Sequence, residues 1–319
     1  MRRLADRILR PRLHSSATIW AVLVLLVAGV VVVVPEFVLP ANLSNVLIQL
    51  VPLGLASLGQ HFVIIGGGID LSIGPQISLI TIAVSSLAGT SALSILATIL
   101  LCLALGASFG LANGVLAHFV GIPPLVVTLC TGFIFQGIAF AFHETTGGFV
   151  PMGMREALTA SWGLLSMPLL LYVVCLLVSA FLMYRARFGR SLYALGGNEE
   201  VLYSAGVKVS RVRIASYVYA GLMAGITAIY LAARLKSGGS HYGDGYSLTT
   251  ITSVVVGGTS IAGGEGSLFG TVAGTIIVSM LNNVLNNVSF RYGFQSSFYK
   301  DVMTGLILIG AMLFYRNRR

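Results

Sequence analysis

Charge is what this chain has least of. Between Glu36 and Glu144 lie 107 residues whose only acid or base, histidines apart, is Asp70; a soluble chain, at roughly a quarter charged, would carry about twenty-five there. Charged residues are 9% of the 319 and apolar residues 56%, with a mean hydropathy of +0.92. That balance excludes a soluble globule and a disordered chain together. Alternating polarity over about ten residues, the mark of a membrane strand, is also missing. The apolar runs are unbroken and about twenty residues long, so the solvent is lipid and the spanning elements are helices. The fold class is all-α and polytopic.

Other absences remove function classes. Cysteine occurs only as Cys102, Cys130 and Cys175, each alone in an apolar run. No disulfide frame or thiolate metal site is expected, and all three are read as small packing residues. His143-Glu144 lacks the second histidine of H-E-x-x-H, the other histidines are scattered, and no metal is expected. Gly106-Ala107-Ser108-Phe109-Gly110 has the spacing of a nucleophile elbow, but it lies within an apolar helix without acid and histidine partners. None of Lys208, Lys236 and Lys300 follows a glycine, so there is no phosphate-binding G-K-[ST] loop. The chain is read as a non-enzyme that holds no cofactor.

What is present is organised by its bases. Arg2, Arg3, Arg7, Arg10 and Arg12 precede the first apolar run; Arg185, Arg187, Arg190, Lys208, Arg211 and Arg213 share one central loop; Arg316, Arg318 and Arg319 close the sequence, making 14 of the 19 Lys and Arg. The positive-inside rule places all three blocks in the cytoplasm, so an even number of spans separates them. Hydropathy predicts six and then four, at about 18–34, 45–65, 72–90, 92–117, 122–142, 163–184, 213–233, 248–262, 267–287 and 298–315. Ten spans are expected, within a range of eight to ten, with both termini cytoplasmic; the eighth is short and glycine-bounded, so it is broken or re-entrant or complete. The first run follows five arginines as a signal peptide would, but it ends in Val31-Val32-Val33-Val34-Pro35 without a small-residue cleavage site and is read as a retained span. Residues 1–17 are then a basic cytoplasmic segment, 18–315 one transmembrane domain with a cytoplasmic loop at 185–213, and 316–319 a basic tail.

Two glycine-rich breaks interrupt the apolar pattern in similar language, Ile64 to Gly74 and Val255 to Ser267. An internal duplication would explain them, yet both fall on one side, which does not fit a simple inverted repeat; the question stays open. Backbone freed from a helix at such places must be satisfied by protein or by a water-filled cavity. In the first break, Asp70 either touches a polar solute or a gating helix, or caps, with Ser72, the helix beginning near Ile73. Glycines at four-residue spacing, Gly106, Gly110 and Gly114, Gly221 and Gly225, and Gly266, Gly270 and Gly274, mark close helix contacts. Asn282, Asn283, Asn286 and Asn287 form two i, i+4 stripes whose amides either meet a hydroxyl-rich solute or join helices. In the central loop, Asn198 can cap a short helix with Glu199 and Glu200 in its first turn and Gly206 at its end. Two turns, about 10 Å, are not stable alone, so Val201, Leu202 and Ala205 must pack on this chain or on a partner.

Together these segments resemble the permease subunits of bacterial ABC importers for ribose and related monosaccharides, within the group that also holds branched-chain amino-acid permeases. The likeness lies in Gly67-Gly68-Ile69-Asp70-Leu71-Ser72, in Ala194 to Glu200 with Ser204 to Val207, and in Val255 to Ser260 with Gly263 to Ser267, in collinear order from about Asn45 to Gly310. It implies a multi-pass subunit of the bacterial cytoplasmic membrane, paired with a second copy or a homologous permease. It also implies an extracytoplasmic solute-binding protein and a separate ATPase subunit that holds ATP and Mg. By this resemblance the coupling segment comprises Gly189, Gly196, Gly197, Asn198, Glu199, Glu200, Val201, Leu202, Ala205 and Gly206, and the path or gate includes Gly67, Gly68, Asp70, Ser72, Gln136, Asn282, Asn283 and Asn286. The chain departs from the family where an arginine commonly precedes the glycine of the fifth span, here Gln136-Gly137. It departs again where acids stand in an E-L-D-A-I stretch, here Ser247-Leu248-Thr249-Thr250-Ile251. A sugar is expected and its identity is open. The competing class is a secondary transporter, which needs mid-membrane carboxylates or an ion site that only Asp70 could supply.

Overall fold

The computed structural model describes residues 19–32, 35–162 and 165–292, with Val302, Gly305 and Leu306. The basic N-terminal block, nearly all of the tenth span and the basic tail lie outside the described residues. In order, the helices are α1 (Ile19–Val32), α2 (Pro40–Ile65), α3 (Ile73–Leu87), α4 (Ala92–Phe119), α5 (Pro124–Phe142), α6 (Met152–Thr159), α7 (Met167–Tyr184), α8 (Arg187–Gly197), α9 (Glu199–Ser204), α10 (Val209–Leu235), α11 (Tyr246–Val256) and α12 (Leu268–Tyr292). Among the described residues α2, α4, α5, α7 and α10 are long and apolar enough to cross a bilayer, and α1, α3, α11 and α12 carry shorter apolar stretches. The starts follow local chemistry. Ser91 and Ser166 accept hydrogen bonds from Ser94 N–H and Leu169 N–H at the heads of α4 and α7, and Pro124 opens α5 where no N–H is needed.

The centre is built from α2 and α10, whose apolar windows are 89% and 72% buried, against 22% for α4 and 28% for α7. The glycine stripes explain the closest of these contacts. Gly106, Gly110 and Gly114 on α4 lie against the backbone of Gly221, Tyr217 and Ile214 on α10, and a Cβ on Gly114 would come 2.8 Å from the Cα of Ile214. On α12, Gly270 and Gly274 meet Gly257 and the carbonyl of Ser253 in the same way. The G-x-S-x-G match therefore belongs to this packing, with Ser108 returning its hydroxyl to the Leu105 carbonyl of its own helix (2.7 Å).

Residues 236–245 correct the expected topology, which made 234–247 an outer connection. The chain leaves α10 at Lys236 in a left-handed conformation (φ 68°) and doubles back along α3. Gly238 and Gly239 pair antiparallel with Gly147 and Thr146, Gly239 N–H donates to Thr81 Oγ1 (3.2 Å), and Gly243 N–H donates to Ser78 Oγ (2.9 Å). Gly243 then rests on the backbone of Gly74 in the first turn of α3. From Leu87 to Gly74 the axis of α3 spans about 20 Å, so Gly243 lies that far below the face where α3 ends. α11 carries on in the same direction over eleven residues, Tyr246–Val256, about 16 Å, to the second break. The eighth span is thus broken, an extended segment followed by a half-length helix, beginning earlier and ending sooner than the predicted 248–262. Hydropathy misses the extended half because glycine and serine carry it, with hydroxyls of a distant helix satisfying its backbone. α2, its break and α3 run opposite in direction to α10, the extended segment and α11. The two glycine-rich breaks read from the sequence meet each other instead, with Gly264 N–H donating to the Ile65 carbonyl at 2.9 Å.

Candidate functional site

The central basic loop is two helices. Gly189 lets α8 tuck beneath the end of α7, against the backbone of Leu182 and Met183. Asn198 caps α9, its Oδ1 accepting from Glu200 N–H (2.9 Å) and Val201 N–H (3.1 Å), and Gly206 closes the motif at φ 74°. Of the expected packed face only Leu202 turns inward; Val201 is 62% exposed, Tyr203 is 75% exposed, and Ala205 is exposed with them. Apolar surface is left open on both sides of Leu202, because a six-residue helix pressed edge-on to its own chain has one inward position. Glu199 forms an ion pair with Arg213 of α10, whose guanidinium also lies 3.3 Å from His118 Nδ1.

The two glycines at the end of α8 behave differently. Gly196 sits on the Ile65 carbonyl and the Gly264 amide, with Gly67 and Gly263 alongside, whereas a Cβ on Gly197 would meet nothing within 4 Å. Gly67 (φ 79°), Gly263 (φ 86°) and Gly264 (φ 72°) hold left-handed conformations that other residues rarely adopt. Two tyrosines reinforce the contact. Tyr193 donates to the Gly266 carbonyl (2.9 Å), and Tyr184 accepts from Leu268 N–H (3.0 Å). Three chain segments, the end of α8 and both glycine-rich breaks, therefore meet backbone to backbone.

Beyond Gly68 the first break enters a buried polar network. Asp70 Oδ1 accepts from Ser72 N–H (2.8 Å) and Ser72 Oγ–H (2.6 Å), and Ser72 Oγ accepts from Gln76 Nε2 (2.7 Å) and Asn113 Nδ2 (2.7 Å). That hydroxyl has then used its one donor and two lone pairs. Asn113 in turn accepts from Thr131 (2.6 Å). Thr128 donates to the Ile69 carbonyl and accepts from Leu71 N–H, while Ser247 donates to the Leu71 carbonyl (2.6 Å) and accepts from Gly74 N–H (3.2 Å). The Gln60 amide, oriented to satisfy both ends, brackets the peptide N–H and C=O of Asp70. Asp70 and Ser72 are fully buried, inside the fold rather than on an open surface; Asp70 closes a turn on the Ser72 N–H, and Ser72, with helical dihedrals at the head of α3, makes no side-chain cap. Asp70 Oδ2 and the Tyr217 hydroxyl, both buried, have no hydrogen-bond partner among the described residues. A cavity of about 380 Å³ on the basic face is lined by Gly66, Gly67, Gly68, His118, Arg213 and Tyr217.

Gln136 donates to the Ser240 carbonyl (2.8 Å), so it ties α5 to the extended segment. Asn283 is buried and Asn282 half-buried, while the Asn286 side chain lies outside the described residues. Cys102 and Cys175 are buried, but Cys130 is exposed and is not a packing residue of this chain alone. Sequence reading missed Asn113, Thr128, Thr131, Ser247 and Tyr217. The one available signal was a lone polar residue in an otherwise apolar helix, and it does not say which break it serves.

Residues 42–312 match a family described as the permease component of branched-chain amino acid transport systems. The chain belongs to this permease family. It is 34% identical over 304 residues to the ribose import permease protein RbsC of Bacillus subtilis (strain 168), covering 93% of this chain and 91% of that one. It is 33% identical over 257 residues to RbsC of Escherichia coli (strain K12), 78% and 79% of the two chains. To the autoinducer 2 import system permease protein LsrD of Photorhabdus laumondii it is 35% identical over 227 residues, 69% and 68%. No solved structure matches the chain. The permease is thus an all-α, polytopic transport component, as its composition and motifs led us to expect.

Proposed function

We propose that this permease is the membrane subunit of an ATP-binding-cassette importer that carries a monosaccharide of the ribose type across the bacterial cytoplasmic membrane. A separate ATPase subunit holds ATP and Mg and drives it, and an extracytoplasmic binding protein supplies it. The observation that carries the reading is the junction at Gly196. The segment that would meet the ATPase presses its backbone directly on the two breaks from which α3 and α12 depart, so a displacement of α8 is passed to the spans without an intervening side chain. The exposed Val201, Tyr203 and Ala205 around α9 are the surface offered to a groove on the ATPase, and the positive-inside rule puts them in the cytoplasm. A second copy, or a homologous permease, completes the path, which is exposed to alternate sides as the ATPase subunits close and part. Neutral amides and hydroxyls suit a polyol that must be bound weakly enough to leave.

The test is reconstitution in vesicles with a cognate ATPase subunit and solute-binding protein. ATP-dependent accumulation of radiolabelled ribose, lost when the ATPase is omitted, is the expected result. Flux driven by a proton gradient without ATP would overturn the reading in favour of a secondary transporter.

A further inference from the structure

We infer that the surface formed by α5 and residues 240–249 lines the solute path, and that the His241–Asp244 pair on it contacts the polyhydroxylated solute. The inference rests on the proposed transport function for the identity of the solute, but not for the wetness of the surface. His241 Nδ1 lies 2.8 Å from Asp244 Oδ2, and the two side chains are 59% and 60% exposed. Gly243 between them sits on Gly74, about 20 Å inward from the end of α3. An ionisable pair open between that level and Phe140, near the end of α5, cannot rest in hydrocarbon. It must face protein or a water-filled cavity, and none of the described residues covers it.

The surroundings fit a sugar. Phe140 stands edge to face with His241 at 5.2 Å, giving an apolar ring face beside a carboxylate that can accept two neighbouring hydroxyls. Gln136, joined to the Ser240 carbonyl, fixes the segment to α5, and Thr249 closes its hydroxyl on the Gly245 carbonyl (2.6 Å). Leu248, 55% exposed, continues the same surface onto α11. Gln136 and Ser247 both hold this segment in place. Asp244 is the carboxylate left on the open side.

The test is thiol labelling in a Cys130→Ala background, with Leu248→Cys and Phe140→Cys as probes and Leu177→Cys on the exposed face of α7 as the lipid control. Right-side-out and inverted vesicles, with and without ATP, are treated with a membrane-impermeant cationic methanethiosulfonate or with N-ethylmaleimide. Both probes should react with the cationic reagent from at least one side, and Leu177→Cys should not. Reaction with the maleimide alone, or with neither reagent, overturns the assignment of the surface. In the second arm, Asp244→Asn should lower ATP-dependent ribose uptake at least tenfold, with the amount in the membrane and the labelling of Leu248→Cys unchanged. Uptake at the wild-type rate removes the pair from solute contact. Should the wild-type complex fail to move ribose, the sugar reading fails, and the labelling still decides the surface.

Discussion

Gly196 and Gly197 are adjacent glycines at the end of one helix, and they should respond oppositely to a single methyl group. At Gly196 the new Cβ would run into the Ile65 carbonyl and the Gly264 amide, both main-chain atoms that cannot swing aside. Overpacking of this kind costs about 1–3 kcal/mol, and parting the two strands to relieve it breaks the Gly264–Ile65 hydrogen bond, about another 1 kcal/mol. The sum, about 2–4 kcal/mol, lowers the population of the intact junction about 30- to 1000-fold at a tenfold change per 1.4 kcal/mol. At Gly197 the methyl meets open space, and removing a helical glycine is neutral or stabilises by up to about 1 kcal/mol. The assay is paired: ATP-dependent uptake in vesicles, and thermal stability of the detergent-purified permease. Gly196→Ala should lose at least nine-tenths of the uptake and melt earlier, while Gly197→Ala keeps both. If the two variants behave alike, the backbone contact at Gly196 is not what joins α8 to the breaks.

Ser72→Ala should lower thermal stability by about 2–4 kcal/mol, because Gln76 Nε2 and Asn113 Nδ2 lose a buried acceptor together; melting within about 1 kcal/mol of wild type would contradict the network. Asp70→Asn, which keeps an oxygen for Ser72, should retain uptake where Asp70→Ala does not; loss in both would point to the charge rather than the turn. Glu199→Arg should abolish uptake by setting two cations against each other, and adding Arg213→Glu should restore at least half if the ion pair is the role of Glu199. No rescue assigns Glu199 to the partner instead. Gly110→Val should abolish accumulation of the permease in the membrane by forcing α4 from α10; normal levels on a membrane blot would refute the packing.

The parts legible in the sequence are those whose physics is local. Scarce charge announces spans, glycines four apart announce helices in contact, and Asn198 with two following acids announces α9. The surface left open around α9 was not legible, since which of Val201, Leu202 and Ala205 turns inward depends on where α8 places the cap. The role of Asp70 was legible only as a choice. Ser72, two residues away, was in view, but Asn113 and Thr131 lie on other helices, and their meeting is a consequence of α4 and α5 crossing the break. The extended half of the eighth span was hidden for a related reason: its pairing hydroxyls, Ser78 and Thr81, come from about 160 positions earlier in the chain.

The meeting of three glycine-lined strands at Gly196 has a mechanical corollary. Joints made through long side chains have slack, because rotamers can turn before anything rigid is pushed. Here carbonyl lies on amide, so the joint has no backlash, and any stroke that moves α8 shifts the end of α2 and the approach to α12 by the same amount and in the same sense. The two halves of the bundle are driven in step rather than against each other, and whatever opens between them must be set by how far their other ends are held.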